Sequence, residues 1–274
     1  MPATTPLPTS LSRDELEAMI RAEFPDRDHV DALLALLKPS LFLWPRALAP
    51  SDSRLASRLG GYPMAPAGWE WPCLGDEPML FIGQINCAEC AGLQAASPLP
   101  RSGWLAFFAD PDIATGCDGG FGQEGAVFHW PLGTELAKVE PPEPDVEIMP
   151  ECGLAFTEAL DLPDTFSERV KERFDREKYY RVAEHGGIRA PEGHRGLDTT
   201  RLNKLLGWLH PVQGRLDLYQ EPGEHWHLLL QVGDYDNGSQ RHFWGPGGSL
   251  YFVIEEKDLA AGRFDRVQFT AQHT

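Results

Sequence analysis

The chain's 274 residues are 42% hydrophobic, enough to bury a sizeable core as one large domain or as two fused halves. Lysine and arginine total 24 against 41 aspartates and glutamates, and the formal charge of -17 repels phosphate backbones and anionic headgroups, which excludes nucleic acid and membrane surfaces as expected partners; it would speed encounter with a basic protein, although an acidic surface more often serves solubility alone. The start has neither the basic stretch nor the apolar run of a signal peptide, and five irregularly spaced cysteines make no disulfide framework, so a cytoplasmic protein with reduced thiols is expected.

Residues 1–40 read as a Pro/Thr-rich tail, loose to about residue 10, followed by a helical hairpin. Ser12, with Glu15 three residues on, forms a capping box ahead of Leu16, Met19, Ile20 and Phe24 at helical spacing. After Pro25 the same period restarts in Val30, Leu33, Leu34 and Leu37 and stops before Pro39. Residues 41–139 change to short apolar runs between Gly and Pro, the texture of a β-rich half, with strand candidates at 79–86 (MLFIGQIN) and 103–110 (GWLAFFAD). Residues 140–190 hold an extended connector rich in proline and acid (140–152) and then one long amphipathic helix over 165–184. That helix carries Phe166, Val170, Phe174, Tyr180 and Val182 and ends at Gly186. Strand texture resumes in residues 191–274, the second β-rich half.

The two halves share landmarks in the same order. SRLGGYP (57–63) matches NKLLGWL (203–209) in size, polarity and glycine placement. Gln84 in an apolar strand follows the first stretch and Gln231 in HLLLQVGD follows the second, and each is followed in turn by Gly103 of GWLAFF or Gly248 of GSLYFV. The expected fold is therefore α+β, β-rich and mainly antiparallel, an internally duplicated pair of half-units with helices packed outside.

The motifs LGGYPMAPAGWEWP, FIGQINCAEC, GWLAFFAD, NKLLGWLHPVQ, LLLQVGDYD and WGPGGSLYFVIEEKDLAAGRFDRV together resemble the YwqG-like family of bacterial proteins, from about Leu41 to the C-terminus. The resemblance implies a β-rich duplicated fold with helices outside and no established activity. Two departures from the family pattern stand out: Pro246 stands where an acidic residue is usual, and Cys87 and Cys90 stand where aliphatic or small residues are usual.

No stretch amounts to a catalytic signature. Cys87-x-x-Cys90 has redox or half-zinc spacing, but there is no second such pair, and Cys73, Cys117, Cys152 or His129 could complete a set only through tertiary approach; buried structural thiols are expected. His225 and His227 fall on one face of a strand without an identified third ligand, His242 being the nearest spare. GDYDNGSQ (233–240) lacks the glutamate of a calcium loop and reads as a hairpin turn at Asn237-Gly238. DGGFGQEG (118–125) has no lysine to cradle phosphate and reads as a flexible loop, and Ser249 opens a strand instead of a nucleophile elbow. No metal and no cofactor is expected.

Two functions are therefore carried forward. The first is a non-catalytic acidic interaction protein, an inhibitor or immunity-type partner of a basic protein. The second is an enzyme or small-ligand-binding protein using a cleft between the halves, with Gln84, Gln231, His225, His227 and Trp208 as the candidates to line it. Pattern alone leaves open whether any reaction is catalysed and how many chains associate.

Overall fold

The computed structural model describes residues 8–50, 52–115, 122, 124–165, 167–183, 187–189, 202–213, 216, 225–236, 241–242, 244–245 and 247–273. Phe166, Gly186, Cys117, Pro246, the Asn237-Gly238 turn and most of the glycine-rich stretch 118–125 lie outside the described residues.

The tail is not loose throughout: β1 (Thr9–Ser10) pairs antiparallel with Arg189 and Ile188, and Leu11 N–H donates to Gly187 O. The helical hairpin follows. α1 (Arg13–Glu23) begins at the expected capping box, with the Ser12 hydroxyl accepting from Glu15 N–H and the Glu15 carboxylate returning to Ser12 N–H. α2 (Arg27–Ala35) is capped by Asp26. Leu16 and Ile20 of α1 and Val30 and Leu33 of α2 are buried.

Next comes β2 (Lys38–Arg46), a nine-residue strand that contains Pro39 and Pro45. Its first-half successors are β3 (Arg58–Leu59), β4 (Met64–Pro66), β5 (Cys73–Leu74), β6 (Glu77–Pro78), β7 (Leu80–Asn86), α3 (Cys87–Cys90), β8 (Trp104–Ala109), α4 (Pro111–Thr115), β9 (Gly125–Trp130) and β10 (Leu136–Lys138). β11 (Cys152–Asp161), α5 (Arg176–Ala183) and β12 (Ile188–Arg189) form the middle. The second set is β13 (Asn203–Leu206), β14 (Trp226–Val232), β15 (Tyr235–Asp236), β16 (Arg241–His242), β17 (Ser249–Glu255), α6 (Glu256–Ala260) and β18 (Gln268–Gln272).

Ten strands make one sheet in the order β18-β17-β14-β13-β2-β11-β3-β7-β8-β9, with antiparallel pairing at every step. β2 and β11 run along each other over their full lengths at the centre. Proline is tolerated in so central a strand because β13 pairs only with Ser40–Leu43, so Pro39 and Pro45 fall outside the doubly bonded stretch. The sheet curls until its ends meet: Gly122 and Phe269 exchange backbone hydrogen bonds of 3.1 and 3.0 Å. Gly125 of one edge lies so close to the other that a Cβ there would be 2.4 Å from that of Phe269. Inside is one apolar core drawn from both sides, and the Phe107 ring of β8 meets Phe252 of β17 at 5.3 Å. Each such ring removed from water is worth about 1.5–3 kcal/mol. The helices lie outside, with Ile20, Phe24, Val30 and Leu33 packed on Val170, Phe174, Tyr179 and Val182.

Two sequence expectations need correction. The long helix over 165–184 is shorter: Ser167–Phe174 form successive turns, and helix α5 starts only after Asp175, whose carboxylate caps Lys178 N–H at 3.0 Å. Val170, Phe174 and Val182 reach one cluster as the spacing requires, but its tyrosine is Tyr179, and Tyr180, read as part of the apolar face, is 53% exposed. Pattern reading also misses β11, the longest strand, in a stretch where connector and helix are expected. One edge of β11 is paired with β2 along its length and the other meets β3 only at Cys152 and Gly153, and its middle is half-buried on both faces, so it lacks a clean alternation.

The turn after β3 is tight. Gly60 has φ 63°, and a Cβ on it would lie 2.3 Å from the Pro150 carbonyl oxygen. Leu206, after β13, holds nearly the same backbone at φ 61° with its side chain in the core. Collision with Pro150 therefore restricts the first position beyond its backbone conformation. Gly60→Ala is expected to cost about 2–4 kcal/mol in urea unfolding, and a loss under about 1 kcal/mol would contradict that collision.

Candidate functional site

The nominated glutamines are structural. Gln84 is 1% exposed; its Oε1 accepts from Met64 N–H at 3.0 Å and its Nε2 donates to Met64 O at 3.2 Å. Gln231 is fully buried and its Oε1 accepts from His210 N–H at 3.1 Å. Each faces a buried cation across its ladder, Arg58 opposite Gln84 and Lys204 opposite Gln231. An amide buried without partners would cost about 1–3 kcal/mol, and here each pins the loop that follows its neighbouring strand. Four strands separate β7 from β14 in the sheet order, and neither glutamine side chain is open to solvent.

Trp208 opens onto a buried charged network. Its backbone N–H donates to Asp161 Oδ2 at 2.9 Å, and its indole Nε1–H donates to Leu36 O at 2.7 Å. Lys204 Nζ donates to the same Asp161 oxygen at 2.7 Å, both side chains being wholly inaccessible, and His210 Nε2 lies 3.3 Å from Oδ1. Burial opposes charge on both partners, but with unequal outcome. Asp161 is pushed up by burial yet receives Lys204, His210 and the Trp208 N–H, and its carboxyl is held down at about 2. Lys204 is driven below its ordinary value by burial, against which Asp161 is the main opposing charge. Sequence reading missed this pair because 43 positions separate its members. The available signal was a lone lysine inside the apolar run LNKLLGWL.

The histidines part company. His225 is exposed, with Nδ1 2.9 Å from Glu256 Oε2, while His227 is half-buried and held below its ordinary value by burial and then by Lys38. His242 belongs to β16. Among the described residues, no three His, Cys, Asp or Glu side chains converge as a metal-ligand set. Cys87 and Cys90 bracket α3 inside the core, where burial pushes their thiols up to about 12 and about 11, and burial pushes Cys152 to about 12 as well. A thiolate nucleophile requires the opposite shift.

The accessible feature is a groove of roughly 560 Å³ between the β5–β6 hairpin and the acidic connector. The hairpin contributes Leu74, Asp76, Glu77 and Pro78, and the connector contributes Glu143, Asp145, Val146 and Glu147. All five carboxylates are exposed, and none lies within ion-pair distance of a lysine or arginine among the described residues. Leu74, 43% exposed, adds an apolar contact. A second groove, about 380 Å³, is lined by Trp226, Glu255, Lys257, Asp258, Arg263, Arg266 and Gln268. There the charges are mixed and pair among themselves, Lys257 with Glu255 and Arg263 with Asp258. Only the first groove offers unneutralised charge of one sign.

Residues 57–272, from the start of β3 to the end of β18, match the profile of the family described as domain of unknown function DUF1963. The chain belongs to this family. The matched segment includes the acidic groove and both outer groups of strands, but not α1, α2 or β2. No curated protein matches the chain.

Proposed function

We propose that this protein is a non-catalytic, cytoplasmic interaction protein whose acidic groove receives a lysine- and arginine-rich segment of a basic partner, in the manner of an inhibitor or immunity protein. The observation that carries the reading is five exposed carboxylates, without cationic partners among the described residues, lining one groove beside the exposed Leu74. Such a surface accelerates encounter with positive charge and lets the apolar strip add contact area. A small-ligand cleft between the two strand groups gains no support from Gln84 and Gln231, whose side chains are buried and bonded to backbone groups.

We also propose that the two strand groups arose by duplication and that, within its family, the chain is YwqG-like. Support for duplication comes from like strand order outward from β2 and β11, from bulges between Phe81 and Gly83 and between Leu228 and Leu230, and from the positive φ shared by Gly60 and Leu206.

The test is titration of the full chain with a fluorescent lysine/arginine-rich peptide at increasing salt. Affinity is expected to fall about tenfold between about 50 and about 200 mM salt as screening shortens the reach of the carboxylates. Absence of binding at low salt, or affinity indifferent to salt, sinks the reading.

A further inference from the structure

The chain has six lysines, and four of them meet carboxylates: Lys138 with Glu140, Lys171 with Glu168, Lys204 with Asp161 and Lys257 with Glu255. Lys178 stands exposed on α5. Lys38 is different from all five. It opens β2 half-buried, makes no hydrogen bond or ion pair among the described residues, and holds its Nζ 3.7 Å from the centroid of the Trp208 ring. The Arg169 guanidinium approaches the same ring at 5.4 Å, so two like charges share one indole.

We propose that Lys38 is a site of covalent acylation, its amine taking an acyl group from a small activated donor, an acyl phosphate or a thioester. In this step the Nζ lone pair attacks the donor's carbonyl carbon and a C–N bond forms. The C–O bond to phosphate or the C–S bond to the thiol breaks, the leaving group departs with the electron pair, and the Nζ proton passes to solvent. No oxidant or reductant is required. The product is a neutral amide over Trp208, which ends the repulsion from Arg169.

Burial and the neighbouring Arg169 guanidinium favour the amine's neutral, nucleophilic form and outweigh the Trp208 ring face, which would hold an ammonium. Burial and then Arg169 push Lys38 down to about 8, against the pull of Asp161 from β11. From β14 the charged form is met by His227, itself held neutral by burial and by Lys38. Accessibility is retained because the side chain is only half-buried.

The test is to incubate the folded full chain with acetyl phosphate or, separately, acetyl-coenzyme A, and to follow acetylation of each lysine by peptide mass spectrometry. At about pH 7.5 Lys38 is expected to react about tenfold faster than Lys178, because far more of its amine is neutral. In denaturant the two rates should converge. Arg169→Ala, at an exposed position, is expected to slow Lys38 about two- to threefold and leave Lys178 unchanged. Preference for either donor supports the proposal and identifies the source. Lys38 reacting no faster than Lys178 with both donors, or Arg169→Ala slowing both lysines alike, overturns it.

Discussion

Asp161→Asn is expected to cost about 3–5 kcal/mol of folding stability, because it leaves the Lys204 ammonium buried with its anion removed. The site offers Lys204 little else: its side chain is wholly inaccessible, and beside Asp161 it has the Phe42 ring at 5.8 Å from Nζ and the lesser pull of Asp164. Lys204→Met should cost less, since the Asp161 carboxylate keeps the Trp208 N–H and His210. Combining the two substitutions should recover about 2 kcal/mol relative to their sum, the mark of a direct interaction between neighbours. Urea unfolding of the four proteins measures the cycle, and single losses below about 1 kcal/mol would show that the pair does not hold β13 to the end of β11.

The same pair sets an acid limit. Asp161 titrates lower in the folded chain, at about 2, than the ordinary value of 3.8, so its contribution is present above that ordinary value and is lost as pH falls through the window toward 2. Asp161→Asn should flatten the stability profile across that window.

Reversing Glu143, Asp145 and Glu147 to lysine is expected to weaken binding of a basic peptide about a hundredfold. Each reversal deletes an attraction and adds a repulsion, about 1 kcal/mol together at an exposed site, and three of them amount to about two decades in Kd. Net charge alone is the competing cause, since any protein at -17 attracts cations. The control is therefore Asp14, Glu172 and Glu177 on the helical layer, all exposed, reversed to lysine for an equal change in net charge. That variant should lose only about two- to threefold through the general field. Equal losses in both variants would remove the groove from the explanation. Because the three connector positions are exposed, no folding defect is expected from the first set, and the second should lose only about 1 kcal/mol through the first-turn positions Asp14 and Glu177.

Local signals in the sequence located the elements whose determinants are local. Ser12 and Glu15 specify the start of α1, and the apolar runs at 79–86 and 103–110 become β7 and β8 within a residue at each end. What escaped depends on distant partners. Asp175 ends one turn and begins α5 because Phe174 and Tyr179 fill the same cluster, a demand that helical periodicity cannot distinguish from a continuous helix. The Lys204–Asp161 pair joins β13 to the end of β11, and the groove joins a hairpin at 73–78 to a connector near 145. The connector's acids were visible in the sequence, but the hairpin facing them was not.

The family boundary at residue 57 falls after β2, although β2 is the strand that joins β13 to β11. A chain truncated at that boundary would lose the keystone of its sheet. β11 would keep only its short pairing with β3, and β13 only its pairing with β14, leaving the sheet split open with raw edges of unsatisfied N–H and C=O groups at what had been the centre. The autonomous folding unit is thus longer than the family's segment, and expression trials that begin at residue 57 should be read as experiments on a broken sheet.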